Sequence, residues 1–232
     1  KITKNSENKY IQKRIEGFSA AAIIGKKEFM GLTLKVNEQV LIPRPDTETW
    51  LEKVIQYYRN ETGLKVADLG TGSGAILVGF LYYCRDAVGV GVDISTEALK
   101  IAEENGQNLK ITDRVEWRQG DYLKAFDEED IFDGIFSNPP YIPTKDIGGL
   151  SREVKHEPRL ALDGGTDGLY FYHLLAKGAA EHLKPGGFLA VEFGIGQATD
   201  ILEMFRKSAQ YEDFEVIKDY GGIERALYCR KK

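Results

Sequence analysis

From residue 64 onward, short apolar runs alternate with longer segments patterned at helical spacing. The runs at 64–70 (LKVADLG), 87–93 (AVGVGVD), 114–119 (RVEWRQ), 132–137 (FDGIFS) and 188–194 (FLAVEFG) read as strands. The stretches near 74–84, 96–107 and 167–183 read as helices. Ser95 is placed to cap the second of these helices, and Lys184-Pro185-Gly186-Gly187 to break the third. Such alternation makes each crossover return to a parallel neighbour, with helices on both faces of the sheet. A further helix and two more strands, near 213–219 and 224–230, follow. Gly221-Gly222 separates that last pair as a tight hairpin, so the final strand runs antiparallel. The predicted fold is α/β: a doubly wound, mostly parallel sheet of seven strands with an antiparallel last strand.

Upstream, residues 28–43 read as a hairpin, with two apolar runs around Asn37-Glu38-Gln39. Asp46, within RPDTE (44–48), is placed to cap a helix running to about Arg59, with Trp50, Leu51, Val54, Ile55 and Tyr58 on its apolar face. Residues 1–25 look helical and incomplete. Of the 232 residues, 42% are hydrophobic, enough for a sizeable core. The net charge of −5 is uneven. Residues 1–45 hold nine Lys/Arg against four Glu, and the remainder 22 against 32 Asp/Glu, a balance of −10. An acidic body argues against a broad nucleic-acid surface. No apolar run is long enough for a bilayer. Cys84 and Cys229 lie inside apolar runs and read as buried thiols in a reducing, cytoplasmic setting. His156, His173 and His182 are scattered, and no metal site is expected.

Two motifs carry the chemistry. DLGTGSGAI (68–76) joins a strand to a helix. Gly70, Gly72 and Gly74 let the backbone turn tightly, and the helix start turns amides toward the same place. The loop Gly70-Thr71-Gly72-Ser73-Gly74 suits either a nicotinamide dinucleotide or S-adenosylmethionine. Asp93 ends the next strand, 19 residues after Gly74, where a carboxylate can accept both hydroxyls of a ribose. Asp121 and Tyr122 follow the third strand, where a carboxylate can take an adenine amino group and a ring can lie beside the base. SNPPY (137–141) ends the fourth strand. Pro139 and Pro140 cannot donate to a sheet, yet their carbonyls remain acceptors on a restricted backbone. Asn138 Oδ1 and the Pro139 carbonyl can together hold an NH₂ group by its two hydrogens. The nitrogen lone pair then points at a carbon electrophile, and Tyr141 can pack on the planar group. The substrate is a side-chain amide or the amino group of a base. A nicotinamide oxidoreductase leaves SNPPY without a role, and a non-catalytic adenosine-binding module is the third alternative.

Together with RPDTE and EPRLALDGGTDGL (157–169), these motifs resemble the HemK-type protein-glutamine methyltransferases that act on peptide-chain release factors. The resemblance runs from about Gly25 to the last residue. It implies the class I methyltransferase fold, with residues 1–27 as the remnant of a helical substrate-recognition domain, 28–45 as a hairpin linker and 46–232 as the catalytic domain. It implies methyl transfer from S-adenosylmethionine to a glutamine amide nitrogen in a Gly-Gly-Gln loop. Asn138, Pro139, Pro140 and Tyr141 would be catalytic. Gly70, Thr71, Gly72, Ser73, Gly74, Asp93, Asp121, Tyr122 and Asn138 would bind the cofactor. Arg44 and Glu48 would line an entrance or form a helix-start salt bridge. The expected partner is a release factor, with no membrane or direct nucleic-acid contact, and the expected state is a monomer. The alternatives that keep the clamp are an adenine or guanine amino-methyltransferase and, less favoured, a ribosomal-protein glutamine methyltransferase.

Overall fold

In the computed structural model, which describes residues 4–232, helices α1 (Lys4–Glu16) and α2 (Ala20–Ile24) precede a hairpin of β1 (Lys26–Phe29) and β2 (Leu32–Lys35). Helix α3 (Pro45–Tyr58) leads to β3 (Lys65–Leu69), α4 (Ala75–Tyr83), β4 (Val88–Asp93), α5 (Thr96–Asn108), β5 (Val115–Gln119) and β6 (Phe132–Ser137). After a long loop with a short helix α6 (Arg152–Lys155) come α7 (Tyr170–Gly178), β7 (Leu183–Glu192), α8 (Ala198–Lys207), β8 (Tyr211–Lys218) and β9 (Glu224–Lys231).

The main sheet has the order β5-β4-β3-β6-β7-β9-β8. β9 is antiparallel to both its neighbours and the remaining pairs are parallel. This is the expected seven-stranded, doubly wound sheet. Strand residues alternate between two apolar layers, as strands covered on both faces must. Val66, Phe136 and Phe188 face α3 and α4, whereas Ala67, Ile135 and Leu189 face α7 and α8. Helix α4 is apolar on every side and buried from Ala75 to Leu81, so it sits wholly within its layer. Chain order reverses between β3 and β6, and ligands of open α/β sheets bind at the carboxyl ends of strands flanking such a reversal. Both cysteines are buried and free. Among the described residues no helix is long and apolar enough to cross a membrane.

Three local expectations are corrected. The hairpin turns at Met30-Gly31, both at positive φ (52° and 72°), not at Asn37-Glu38-Gln39. Two successive positive-φ residues give the twist that a two-residue hairpin needs. Val36, Val40 and Ile42 instead pack on Ala98 and Ile101 of α5. Asp46 is not the cap of α3. Arg44 holds the N-cap position without a side-chain cap, Pro45 starts the helix, and Asp46 pairs with Arg225 at 3.0 Å. Lys184–Gly187 lies inside β7 as an irregularity, because Phe132 faces Leu183 while Gly134 faces Phe188. Helix α7 has already ended at Gly178.

Candidate active site

The glycine loop leaves β3 with Gly70, Gly72 and Gly74 at φ of 73°, 55° and 79°, a region open to glycine at no steric cost. The Gly70 and Thr71 amides both donate to Val92 O at 2.9 Å, which ties the loop to β4. Thr71 Oγ1 donates to Asp68 Oδ2 at 2.6 Å. Asp68 is fully buried, among the described residues its other oxygen, Oδ1, has no partner, and burial pushes its carboxyl up to about 7. Gly74 is held from behind, where a Cβ would come within 3.0 Å of Trp117 and 3.1 Å of Ala102. At Gly72 the space a Cβ would take is open.

Asp93 ends β4 beside this loop. Its Oδ2 accepts from the Gly72 amide at 2.8 Å and its Oδ1 from the Ser95 amide at 2.9 Å. Each oxygen keeps lone-pair capacity for another donor. Burial nevertheless raises its carboxyl above the usual carboxylate range. Ser95 caps α5 as expected, accepting from the Ala98 amide at 3.2 Å.

Asn138 follows β6 directly. Ser137 Oγ donates to Leu69 O at 2.8 Å, locking the ends of β6 and β3 together. Asn138 Oδ1 is buried, and among the described residues no donor reaches it. A buried carbonyl left unpaired costs about 1–3 kcal/mol, so this acceptor suits a donor from a ligand. Gly70, Gly72, Asp93, Tyr122, Asn138 and Pro140 line one crevice of about 190 Å³. Thr71 and Ser73 face a smaller space across the loop, and Asn138 borders both. The sequence thus identified residues that the fold gathers at one place from four strand ends.

Tyr122 has φ of 52°, an uncommon conformation for a bulky residue. Its ring stacks on Phe171 at 4.6 Å, and its hydroxyl would lie 2.8 Å from a Cβ at Gly70. The absence of that Cβ brings ring and loop together. Asp121 does not itself line this crevice, although its neighbour Tyr122 does. Its carboxylate pairs with Lys124 at 2.5 Å and borders a separate surface depression with Tyr170 and Lys177. Tyr122 borders this depression as well as the crevice, so the two spaces adjoin at its ring. Tyr141 also stands outside the crevice, its ring 3.0 Å from the position of a Cβ at Gly194.

Two further segments line the crevice, Gln39, Val40 and Leu41 from one and Pro158, Leu160 and Ala161 from the other. One buried carboxylate, Glu157, fastens both. It accepts from Arg44 at 2.5 Å and from the Ile42 amide at 3.3 Å. Arg44 is therefore an ion-pair partner within this wall, and Glu48 accepts from the Met30 amide at 3.0 Å. A second buried carboxylate, Glu192 at the end of β7, accepts from Thr47 Oγ1 at 2.6 Å and Trp50 Nε1 at 2.8 Å. Burial raises both carboxyls. The sequence reading missed Glu192 because no local pattern marks a residue whose partners are 142 and 145 positions away. Among the described residues no group of three or more His, Cys, Asp or Glu is placed to hold a metal ion.

Residues 60–192 match the family described as a methyltransferase domain. The chain is 44% identical over 226 residues to the release factor glutamine methyltransferase of Bradyrhizobium diazoefficiens, covering 96% of this chain and 75% of the relative. It is 40% identical over 222 residues to the enzyme of the same name from Moorella thermoacetica, covering 96% and 78%. The fold is similar to a methyltransferase structure from Pyrococcus furiosus, with a TM-score of 0.63 at 22% identity over 95% of this chain and 98% of the other.

Proposed function

This chain belongs to the release factor glutamine methyltransferases, and from that premise we propose that its crevice methylates the side-chain amide of a glutamine in a peptide-chain release factor. The buried, unpartnered Asn138 Oδ1 carries this reading. It is an acceptor waiting for an N–H, beside a loop built to admit a cofactor. S-adenosylmethionine supplies an electrophilic methyl group when bound. Three features suit that group: the open backbone at Gly72, the Asp93 carboxylate for its ribose, and Tyr122 with Ile94 as flanks for its base.

An amide nitrogen is a weak nucleophile because its lone pair is delocalised into the carbonyl. Asn138 Oδ1 and the Pro139 carbonyl accept its two hydrogens and favour a pyramidal nitrogen. Among the described residues no backbone donor engages the Pro139 carbonyl. The lone pair is then free and aimed, so the residues act by orientation and preset electrostatics. The proton leaves after the nitrogen has gained the methyl group and become acidic.

Two outcomes follow. Label from S-adenosylmethionine should appear on a release factor, and Gln→Asn in its Gly-Gly-Gln loop should remove it. The clamp sits at fixed depth, and a side chain shorter by one methylene does not reach the donor. Label on DNA or RNA with none on protein would replace this reading by the nucleic-acid alternative. Asp93→Ala should weaken S-adenosylhomocysteine binding by about 1–3 kcal/mol, the scale of charge-assisted hydrogen bonds. Part of that loss comes from freeing the Gly72 amide. Unchanged affinity by calorimetry would end the ribose assignment.

A further inference from the structure

Gln197 precedes α8 and lines neither the crevice nor the smaller space beside it. Its amide is nevertheless used at both ends. Oε1 accepts from the Gly194 amide at 2.8 Å. Nε2 donates to Tyr141 O at 3.1 Å and to Gly168 O at 3.3 Å. Three segments meet on this one planar group: the loop leaving β7, the turn after Asn138, and the strap at 162–169.

The strap presses on the back of the turn. Ile142 N donates to Leu162 O at 3.0 Å, and Gly164 N to Ile142 O at 2.9 Å. A Cβ at Gly164 would lie 2.7 Å from Pro140 O and 2.8 Å from Tyr141 Cα, and one at Gly168 would run into Tyr141 O. The far side of the turn is thus braced by bare backbone and one glutamine. On the near side, among the described residues, no donor reaches Asn138 Oδ1. Pro139 and Pro140 restrict the turn internally, and its orientation relative to β6 is left to the contacts around it. The bond to Tyr141 O ties the turn to the loop that leaves β7.

We propose that Gln197 is a positioning residue for methyl transfer: by holding the Tyr141 carbonyl it sets the tilt of the 138–141 turn and so the aim of Asn138. This rests on the reading of Asn138 as the acceptor for the substrate amide. The chemistry of the site calls for glutamine. One group must accept from an amide and donate to two carbonyls. Glutamate keeps the first and loses the second, and alanine loses both.

The test compares wild type, Gln197→Ala, Gln197→Glu, Asn138→Ala and the double variant Asn138→Ala/Gln197→Ala. Turnover is measured on a release factor, and S-adenosylhomocysteine affinity by calorimetry. Both Gln197 variants should lose about tenfold to a hundredfold in kcat, the cost of a misplaced reacting group. Their affinity for S-adenosylhomocysteine should stay within about twofold of wild type. The double variant should match Asn138→Ala within about twofold, because an aim has no value without the acceptor. Losses that multiply in the double variant would assign Gln197 an independent role and overturn the proposal. So would full turnover in Gln197→Ala, or abolished S-adenosylhomocysteine binding in both Gln197 variants, which would mark a role in folding. A wild-type chain that leaves the release factor unlabelled overturns the functional reading itself, an outcome visible before any variant is compared.

Discussion

Asn138→Ala is expected to bind S-adenosylhomocysteine nearly as wild type does and to lose about two to three orders of magnitude in kcat, comparable to deleting one oxyanion-hole donor. The loss falls on turnover because the contact strengthens along the reaction. Asn138 Oδ1 meets a planar amide in the ground state and a pyramidal, increasingly positive nitrogen later. Binding is spared because the ribose and the glycine loop rely on other groups, chiefly Asp93 and the amides it organises. Asn138→Asp is the sharper probe. A carboxylate still accepts and attracts the developing charge, so a purely electrostatic role predicts partial activity. An Asp variant as inactive as Ala would mean that the Asn138 NH₂ is also used. Full turnover in Asn138→Ala on the release factor would reduce SNPPY to a turn.

Gly168→Ala is expected to cost about 2–4 kcal/mol of stability, from a left-handed backbone and from overpacking together. That corresponds to a fall in Tm of about 5–15 °C for a chain of this size. Gly168 has φ of 78°, and a methyl group there would meet the Tyr141 carbonyl, which is backbone and cannot swing away. Gly196 provides the control. Its φ is 86°, but the space around a Cβ is open, so Gly196→Ala should cost only the backbone preference of about 1–2 kcal/mol. Surviving Gly168→Ala protein should also turn over slowly, since the displaced carbonyl belongs to the catalytic turn. Equal melting temperatures for the two variants would show that the strap gives way freely.

The strands, the glycine loop, the Ser95 cap and the closing hairpin were legible in the sequence because each is specified by neighbours within about ten positions. The hairpin of β1 and β2 was misplaced because Met30-Gly31 lacks the usual turn residues, while Asn37 offers a local bond to the Gln39 amide that imitates a turn. Asp46 looked like a cap and is instead claimed by Arg225, which only the completed sheet brings near. Asp121 pairs with Lys124 beside the crevice, a local contact at i,i+3. Asn138 and Asp93 could be found because each follows its strand directly, and strand ends converge in this topology. Glu157, Glu192 and Gln197 could not be, since their importance lies in what the fold carries to them.

The place of β9 bears on how the molecule assembles. This strand is the last in sequence, yet it lies between β7 and β8 and pairs with both. During synthesis β8 therefore has no edge to join until residues 224–231 emerge, and β7 presents an open row of amides and carbonyls in the interval. Ala226 is the partner of Glu192 in the register, so the wall carrying that carboxylate is completed by a contact spanning 34 positions. Pairings of high sequence separation form slowly because their loop-closure entropy precedes their reward. The half of the sheet around β3, β4 and β5 can assemble from nearer neighbours, so the glycine loop can form before the support beneath the clamp.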